Sequence, residues 1–270
     1  GVLGAAIATL LARVSEFAIC VVCAVRSRVI PLDLAALLHP GMDMAQRFLK
    51  YASPVVLNEA AWGLGNSLLT VILGYTDNSV EMLAANAVMG NLNRLLLVVC
   101  FGLGAATAVL VGKAIGEGQK HQDVLELSQV LLRFSTLIGA GIAVLSLLLI
   151  PTLFVPVLFP MFKLYGESIA IATALAVTAF AGIPLHAYAI SAVTGVLRAG
   201  GDVTYATVLD LLPQWVICLP VTALCALVLK SGYWSIAIAI QLECIVKVPF
   251  CIRRVRGGTW IHDVTRGQRT

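Results

Sequence analysis

Apolar residues fill seven runs of this chain, and polar residues gather in the connections between them. A helix crosses the bilayer core with about 20 predominantly apolar residues, and such runs occupy residues 2–25, 53–74, 84–112, 125–150, 167–190, 204–229 and 233–252. The connections are short except for 26–52, which includes an amphipathic piece expected to lie along the membrane surface as a short helix. The pattern predicts an all-α polytopic membrane protein with about seven transmembrane helices, embedded in a lipid bilayer.

The composition points to the same class. Hydrophobic residues make up 60 % of the chain and charged residues 12 %, whereas a soluble domain carries about 25 % charged residues. This excludes a soluble globular protein. The net charge of +4 is modest, and we expect no nucleic-acid partner.

Basic residues are distributed unevenly between the two sides of the predicted membrane helices. When successive connections are assigned to alternate sides of the membrane, one side carries only Lys163 and Lys230. The other side holds Arg26, Arg28, Arg47, Lys50, Lys113, Lys120, Arg198, Arg253, Arg254, Arg256, Arg266 and Arg269. The positive-inside rule makes this second side cytoplasmic, with Gly1 and the connection 75–81 outside. We expect a multi-pass protein of the cell (plasma) membrane with a cytoplasmic C-terminus.

An outside start is unusual for a chain without an initiator Met or a signal peptide. The number of predicted spans is also odd. Both features suggest a chain cut from a longer one.

Glu59 places a carboxylate inside the second span. A charge at the bilayer centre costs at least about 2.5–3.5 kcal/mol, so such residues usually line a cavity or pair with a partner. Helical spacing puts Trp62, Asn66 and Thr70 on the same face as Glu59. This face is expected to look inward, onto a cavity. The alternative is a structural glutamate tied to a neighbouring helix.

Other charged residues within the spans have local partners at helical spacing. Arg13 lies three residues before Glu16, and Glu243 lies four residues before Lys247. Side chains at these spacings meet on a helix, so each pair is expected to bond to itself. Asp210 has no obvious local partner, which makes it the second candidate after Glu59.

Three uncharged residues are weaker candidates. Asn86 and Asn93 lie seven apart on the third span, where both can face the Glu59 stripe. His186 follows Pro184 in the fifth span and is either a hydrogen-bonded core residue or a functional one.

Two short motifs contain residues typical of other chemistry. Cys20-x-x-Cys23 has no second pair or histidine cluster beside it, so packing explains it better than metal or redox chemistry. The glycines of 112–118 lack the Gly-Lys-Ser/Thr ending of a phosphate loop and fit the end of a helix. No nucleophile with its base, metal-ligand cluster or cofactor loop appears. We therefore expect no enzyme, no bound metal and no cofactor.

Four motifs together resemble those of multidrug and toxic compound extrusion (MATE) transporters. They are Pro54-Val-Val-Leu-Asn58-Glu59, Gly104–Gly116, Gly195-Val-Leu-Arg-Ala-Gly-Gly-Asp202 and Gly257-Gly-Thr-Trp260. The opening residues also resemble the entry to that family's sixth helix. The resemblance covers essentially the whole chain.

The resemblance implies a fold of twelve helices in two six-helix lobes around a cavity that opens alternately to each side. Residues 1–25 would be the last helix of the N-terminal lobe, 26–52 the cytoplasmic inter-lobe linker, 53–254 the C-terminal lobe and 255–270 a cytoplasmic tail. The N-terminal lobe would be a missing partner. Family members exchange small organic cations for H⁺ or Na⁺.

The resemblance also implies a cation and substrate site, for which the candidates are Glu59, Asn58, Trp62, Asn66, Asn86, Asn93, His186 and Asp210. Glu59 matches an acidic residue that some members carry on their seventh helix. The aspartate that those members carry on the tenth helix is absent, and 183–187 reads Ile-Pro-Leu-His-Ala instead. The absence puts a complete Na⁺ site in doubt, and His186 at this place favours H⁺.

Two alternatives remain beside the antiporter. A lipid-linked saccharide flippase of the same superfamily would line its cavity with Arg and Lys for pyrophosphate, whereas the stripe here holds Glu and Asn. A non-transporting membrane fragment is the other alternative.

Overall fold

The computed structural model describes residues 2–26 and 41–262, and all regular secondary structure in these ranges is helical. The helices are α1 (Val2–Arg26), α2 (Met42–Gly74), α3 (Ser79–Gly116), α4 (His121–Met161), α5 (Glu167–Leu197), α6 (Val203–Val228) and α7 (Tyr233–Gly257). Each of the seven contains a stretch that is long and apolar enough to cross a membrane. The predicted all-α polytopic fold is confirmed.

The chain divides into two compact units, Gly1–Ala52 and Ser53–Thr270. In the first unit, α1 is exposed along most of its length, and Cys20 and Cys23 are exposed free thiols rather than buried ones. Arg13 and Glu16 form the predicted ion pair at 2.7 Å.

The predicted linker 26–52 falls only partly within the described residues. Residues 27–40 lie outside them, as does the tail from residue 263 onward. α2 begins at Met42, inside the predicted linker, and runs without a break to Gly74. The predicted short surface helix is therefore the beginning of α2 and not a separate element.

In the second unit, α5 packs against α3, α4 and α7. The side chains between these helices form two apolar cores. One lies toward the α4–α5 connection and includes Leu73, Phe154, Phe159 and Phe180. The other lies toward the α3–α4 connection and includes Val111, Val124, Val196 and Trp260.

The prolines after residue 150 do not end the fourth span, contrary to the sequence-based boundary. Pro151 and Pro156 lie within α4, in a segment of wide turns from Ile150 to Leu158. In such turns the backbone N–H bonds five residues back, as Phe159 does to Phe154. A proline removes one donor and clashes with the carbonyl four residues earlier. We attribute the wide turns to this clash, because they shift the register of the hydrogen bonds without ending the helix.

Two motifs that lie far apart in the sequence of the second unit meet in space. The side chain of Trp260 is fully buried against Gly200, where an added Cβ would clash with the indole ring. The backbone N–H of His262 donates to the carbonyl oxygen of Gly200 at 2.9 Å. Asp202 directly precedes α6, a place typical of capping residues. Its side chain makes no capping bond and accepts instead from Arg254 Nε at 2.7 Å.

The connections with few basic residues lie together at one end of the second unit. Lys230 Nζ lies 3.0 Å from Asp77 Oδ1, and Asn78 Nδ2 donates to Glu167 at 2.6 Å. The described basic residues near the other connections, among them Lys113 and Arg254, belong to the opposite end. The basic connection residues are therefore concentrated at one end of this unit.

We expect the end that carries Asp77 and Lys230 to face outside, because the opposite end is rich in basic residues. The test uses single cysteines, Tyr165→Cys and Gln119→Cys, in a protein whose native cysteines have been replaced. Both positions are exposed connection residues at opposite ends. An impermeant thiol reagent added to intact cells should label Tyr165→Cys and spare Gln119→Cys. The reverse pattern would show that the orientation is inverted.

Candidate functional site

Asp210 lies in the first half of α6 and connects three other segments of the second unit. Its Oδ1 lies 2.8 Å from Lys247 Nζ on α7, and its Oδ2 accepts a hydrogen bond of 2.9 Å from Asn58 Nδ2 on α2. Arg198, directly after α5, comes within 3.8 Å of the same Oδ2. Both carboxylate oxygens are thus engaged, which is what a charge inside a membrane protein requires.

Lys247 is one of the most deeply buried charges in the described residues, with its side chain 8 % exposed. Its ammonium donates to Glu243 Oε1 at 2.7 Å as well as to Asp210. The predicted bond between Glu243 and Lys247 is confirmed. The prediction that Asp210 stands without a partner nearby in the sequence holds, since its partner lies 37 residues away on another helix.

Glu59 is attached to this cluster more loosely. Its Oε1 lies 3.6 Å from an Arg198 guanidinium nitrogen, and its side chain is 63 % exposed. Glu59 thus lies near a cation of another segment, and the cavity in front of its face stays a prediction. Glu59 is the member of the cluster that a solute reaches most readily.

Asn58, next to Glu59 in the sequence, is buried in the unit and is 1 % exposed. Its Oδ1 is buried without a hydrogen-bond partner, as is Gln214 Oε1 on α6. Gln214 packs so closely against α2 that a Cβ at Gly65 would come within 2.5 Å of its amide nitrogen. α2 and α6 therefore approach closely at Gly65 and Gln214, and two buried acceptors without hydrogen-bond partners lie on these helices.

The remaining residues of the predicted stripe lie on α2, at the helical spacing expected from the sequence. Trp62 is 40 % exposed. The side chains of Asn66 and Thr70 bond to backbone carbonyls one turn earlier on α2, at 3.0 Å each. These bonds satisfy the polar groups without using a partner helix.

The other predicted residues do not join this cluster through any hydrogen bond within residues 2–26 and 41–262. Asn86 and Asn93 are half-buried on α3, and their facing the stripe stays a prediction. His186 Nδ1 lies 3.2 Å from the carbonyl oxygen of Gly182 on its own helix. Its ring lies at Gly182, beside Gln241 of α7.

Sequence reasoning missed the roles of Arg198 and Gln214 and the second bond of Lys247. Arg198 was interpreted as part of a cytoplasmic glycine-rich connection, and Lys247 as the partner of Glu243 alone. The only signal for the larger cluster was that Asp210 had no local partner. An unpaired charge in a span requires one on another helix.

The cluster has a simple charge balance. Three carboxylates, of Glu59, Asp210 and Glu243, face two cations, Arg198 and Lys247. With all five ionised, the cluster is short of one positive charge. Of the three carboxylates, that of Glu59 is the most exposed.

A separate cavity of about 210 Å³ lies between α5 and α7, lined mainly by apolar atoms. Gly182 and Gln241 form part of its wall. Within the described residues, no group of three or more His, Cys, Asp or Glu side chains is arranged to hold a metal ion.

A family model, MatE, matches residues 54–224, which is more than half of the chain. The chain belongs to the MatE family. Members of this family are transporters and not enzymes, so the chain is part of a membrane transporter family with multiple spans.

One curated relative matches nearly the whole chain at low identity. The chain is 23 % identical over 262 residues to the uncharacterized transporter YisQ of Bacillus subtilis (strain 168), covering 97 % of this chain and 56 % of the relative. It therefore spans only about half the length of that curated relative.

Solved structures of MATE proteins share the fold. The crystal structure of MATE in complex with MaL6 matches 96 % of this chain and 57 % of its own length, with a TM-score of 0.78 and 16 % identity. An outward-facing multidrug resistance MATE family transporter of the MOP superfamily matches 83 % of this chain and 48 % of its own length, with a TM-score of 0.69 and 20 % identity.

Proposed function

We propose that the protein is an antiporter that exports small organic cations in exchange for H⁺ or Na⁺, with Glu59 as the shared binding site. The observation that carries the proposal is the exposed carboxylate of Glu59 at the edge of a cluster that lacks one positive charge. The indole of Trp62 stands one turn away and is also partly exposed. A carboxylate beside an aromatic face suits an organic cation.

Exchange follows from competition at one site. A proton, a Na⁺ ion and an organic cation each neutralise Glu59, so they exclude one another electrostatically. Secondary transporters turn such competition into transport when two lobes rock about the shared site and expose it to each side in turn.

The second lobe is part of the proposal. Relatives extend to about twice the length of this chain, and the stripe from Glu59 to Thr70 needs a facing surface to form a cavity. We propose an N-terminal lobe as that surface and the plasma membrane as the site of action, with the C-terminus cytoplasmic.

A saccharide flippase remains the second function, because Arg198 and Lys247 are cations in the cluster. Both are engaged by carboxylates, however, Lys247 at hydrogen-bond distance. A pyrophosphate would have to displace these carboxylates, so the arrangement favours a cationic substrate. The other alternative, a non-transporting fragment, would show no transport at the protein's natural full length.

The test is transport by the protein at its natural full length, reconstituted in lipid vesicles. Ethidium serves as a fluorescent organic cation, and either a proton or a Na⁺ gradient is imposed alone. We expect the proton gradient to drive ethidium in the direction opposite to the flow of protons. His186 favours H⁺ over Na⁺ as the coupling ion. Movement driven by Na⁺ at equal pH would change the coupling ion but keep the antiporter. No dependence on either gradient would refute the proposal.

A further inference from the structure

Asp210 and Glu243 direct their carboxylates at a single point, and that point is occupied by an atom of the protein. Lys247 Nζ lies 2.8 Å from Asp210 Oδ1 and 2.7 Å from Glu243 Oε1. We propose that Lys247 is a built-in cation that fills a two-carboxylate cation site and keeps Na⁺ out of it.

The ligand chemistry around Nζ is that of a site for a hard monovalent cation. Such ions bind to oxygen atoms, above all to carboxylate and amide oxygens. The two carboxylates supply the charge. Asn58 adds an unused neutral oxygen nearby, since its Nδ2 binds Asp210 while its buried Oδ1 has no hydrogen-bond partner.

The burial of this point favours a cation between the two ionised carboxylates. The side chains of Asp210 and Glu243 are each only 21 % exposed. Two carboxylates this close repel each other strongly when no positive charge lies between them. The lysine ammonium is compact and attached to a flexible stem, so it can replace a free ion between two fixed carboxylates.

The arrangement of the helices also holds the built-in cation in place. Glu243 and Lys247 lie one turn apart on α7, so their bond forms within one helix. Asp210 approaches from α6 and ties the two helices together through the same ammonium. Arg198 is oriented toward the other oxygen of Asp210 at 3.8 Å, and so it does not occupy this point.

The consequence for transport rests on the proposed function. If the protein is an antiporter, this pair of carboxylates does not carry Na⁺, and exchange is left to Glu59. The binding of Na⁺ itself can be measured without transport. The inference can therefore fail while the antiporter stands, and the reverse also holds.

The experiment measures thermal unfolding of the purified protein, at its natural full length, in detergent. Sodium chloride is compared with N-methylglucamine chloride at equal ionic strength. Every protein measured carries Glu59→Gln, so that neither Na⁺ nor N-methylglucamine binds at Glu59. The protein with wild-type Lys247 should unfold at the same temperature in both salts. Lys247→Ala should unfold at a lower temperature in N-methylglucamine and recover by about 5 °C in Na⁺, because a ligand that binds only the folded state stabilises it.

Two controls assign the recovery to this site. Lys247→Arg keeps a cation and should stay insensitive to Na⁺. The triple variant Lys247→Ala, Asp210→Asn, Glu243→Gln lacks the carboxylates and should also show no recovery. If Lys247→Ala does not fold, Lys247→Gln is measured in the same way.

The inference is overturned if Na⁺ stabilises the protein with wild-type Lys247 as much as the Lys247 variants. It is equally overturned if the Lys247→Ala or Lys247→Gln variant unfolds at the same temperature in both salts. A recovery that persists in the triple variant would place the Na⁺ site elsewhere and would also contradict it.

Discussion

Asp210→Ala is expected to lower the free energy of unfolding by about 3–5 kcal/mol, the usual cost of removing one partner from a buried ion pair. The substitution leaves Lys247 with one carboxylate instead of two and removes the acceptor of Asn58. It also removes the bonds through which this residue of α6 holds α2 and α7. The measurement is the unfolding of the purified full-length protein in detergent.

Asp77→Ala is the matched control. Asp77 also pairs with a lysine on a distant part of the chain, Lys230, at nearly the same distance of 3.0 Å. Its side chain is 69 % exposed, however, and exposed pairs contribute about 0–1 kcal/mol. If Asp210→Ala and Asp77→Ala lowered the free energy of unfolding equally, the burial of Asp210 would add nothing to its contribution to stability.

Asp210→Asn separates charge from shape in the same experiment. The amide oxygen can still accept from Lys247 or Asn58, but it brings no negative charge. We expect a loss of stability that is clear yet smaller than that of Asp210→Ala. A loss as large as that of alanine would mean that the charge matters more than the hydrogen bonds.

The seven membrane helices could be predicted because a span has a minimum length and an apolar composition, and both are visible in the sequence. Their ends were less predictable. The prolines after residue 150 looked like a connection, yet wide turns carry the helix past Pro151 and Pro156. Such a change of hydrogen-bond register depends on the surrounding packing and leaves no periodic signal.

The candidate site was predictable only in part, for a related reason. Contacts within one helix follow from spacing, so the Glu243–Lys247 bond was found. Contacts between helices depend on how the helices are arranged, so the bonds from Lys247 and Asn58 to Asp210 were not. Asn58 and Glu59 are neighbours in sequence, yet one is buried and the other exposed. Adjacent positions on a helix face different directions, and only the packing of α6 shows which of them faces inward.

Glu59→Gln, in the protein at its natural full length, is expected to abolish the dependence of organic-cation efflux on an ion gradient. The change removes the charge with little change in shape. Losing a charged partner costs about 1.5–3 kcal/mol, so gradient-driven ethidium efflux from vesicles should fall by about tenfold or more. Folding should stay near normal, because the carboxylate is exposed and lies 3.6 Å from Arg198, beyond hydrogen-bond distance.

The matched control for Glu59→Gln is Glu117→Gln. Glu117 is also more than half exposed and lies 3.7 Å from its cation, Lys113, but it stands at the end of α3, away from the Asp210 cluster. Its replacement should leave gradient-driven efflux unchanged. A purely structural Glu59 would give a different pattern. Glutamine can preserve many of the hydrogen bonds of a glutamate, so efflux would survive Glu59→Gln, whereas Glu59→Leu would lower the unfolding temperature. That result would remove Glu59 as the shared site.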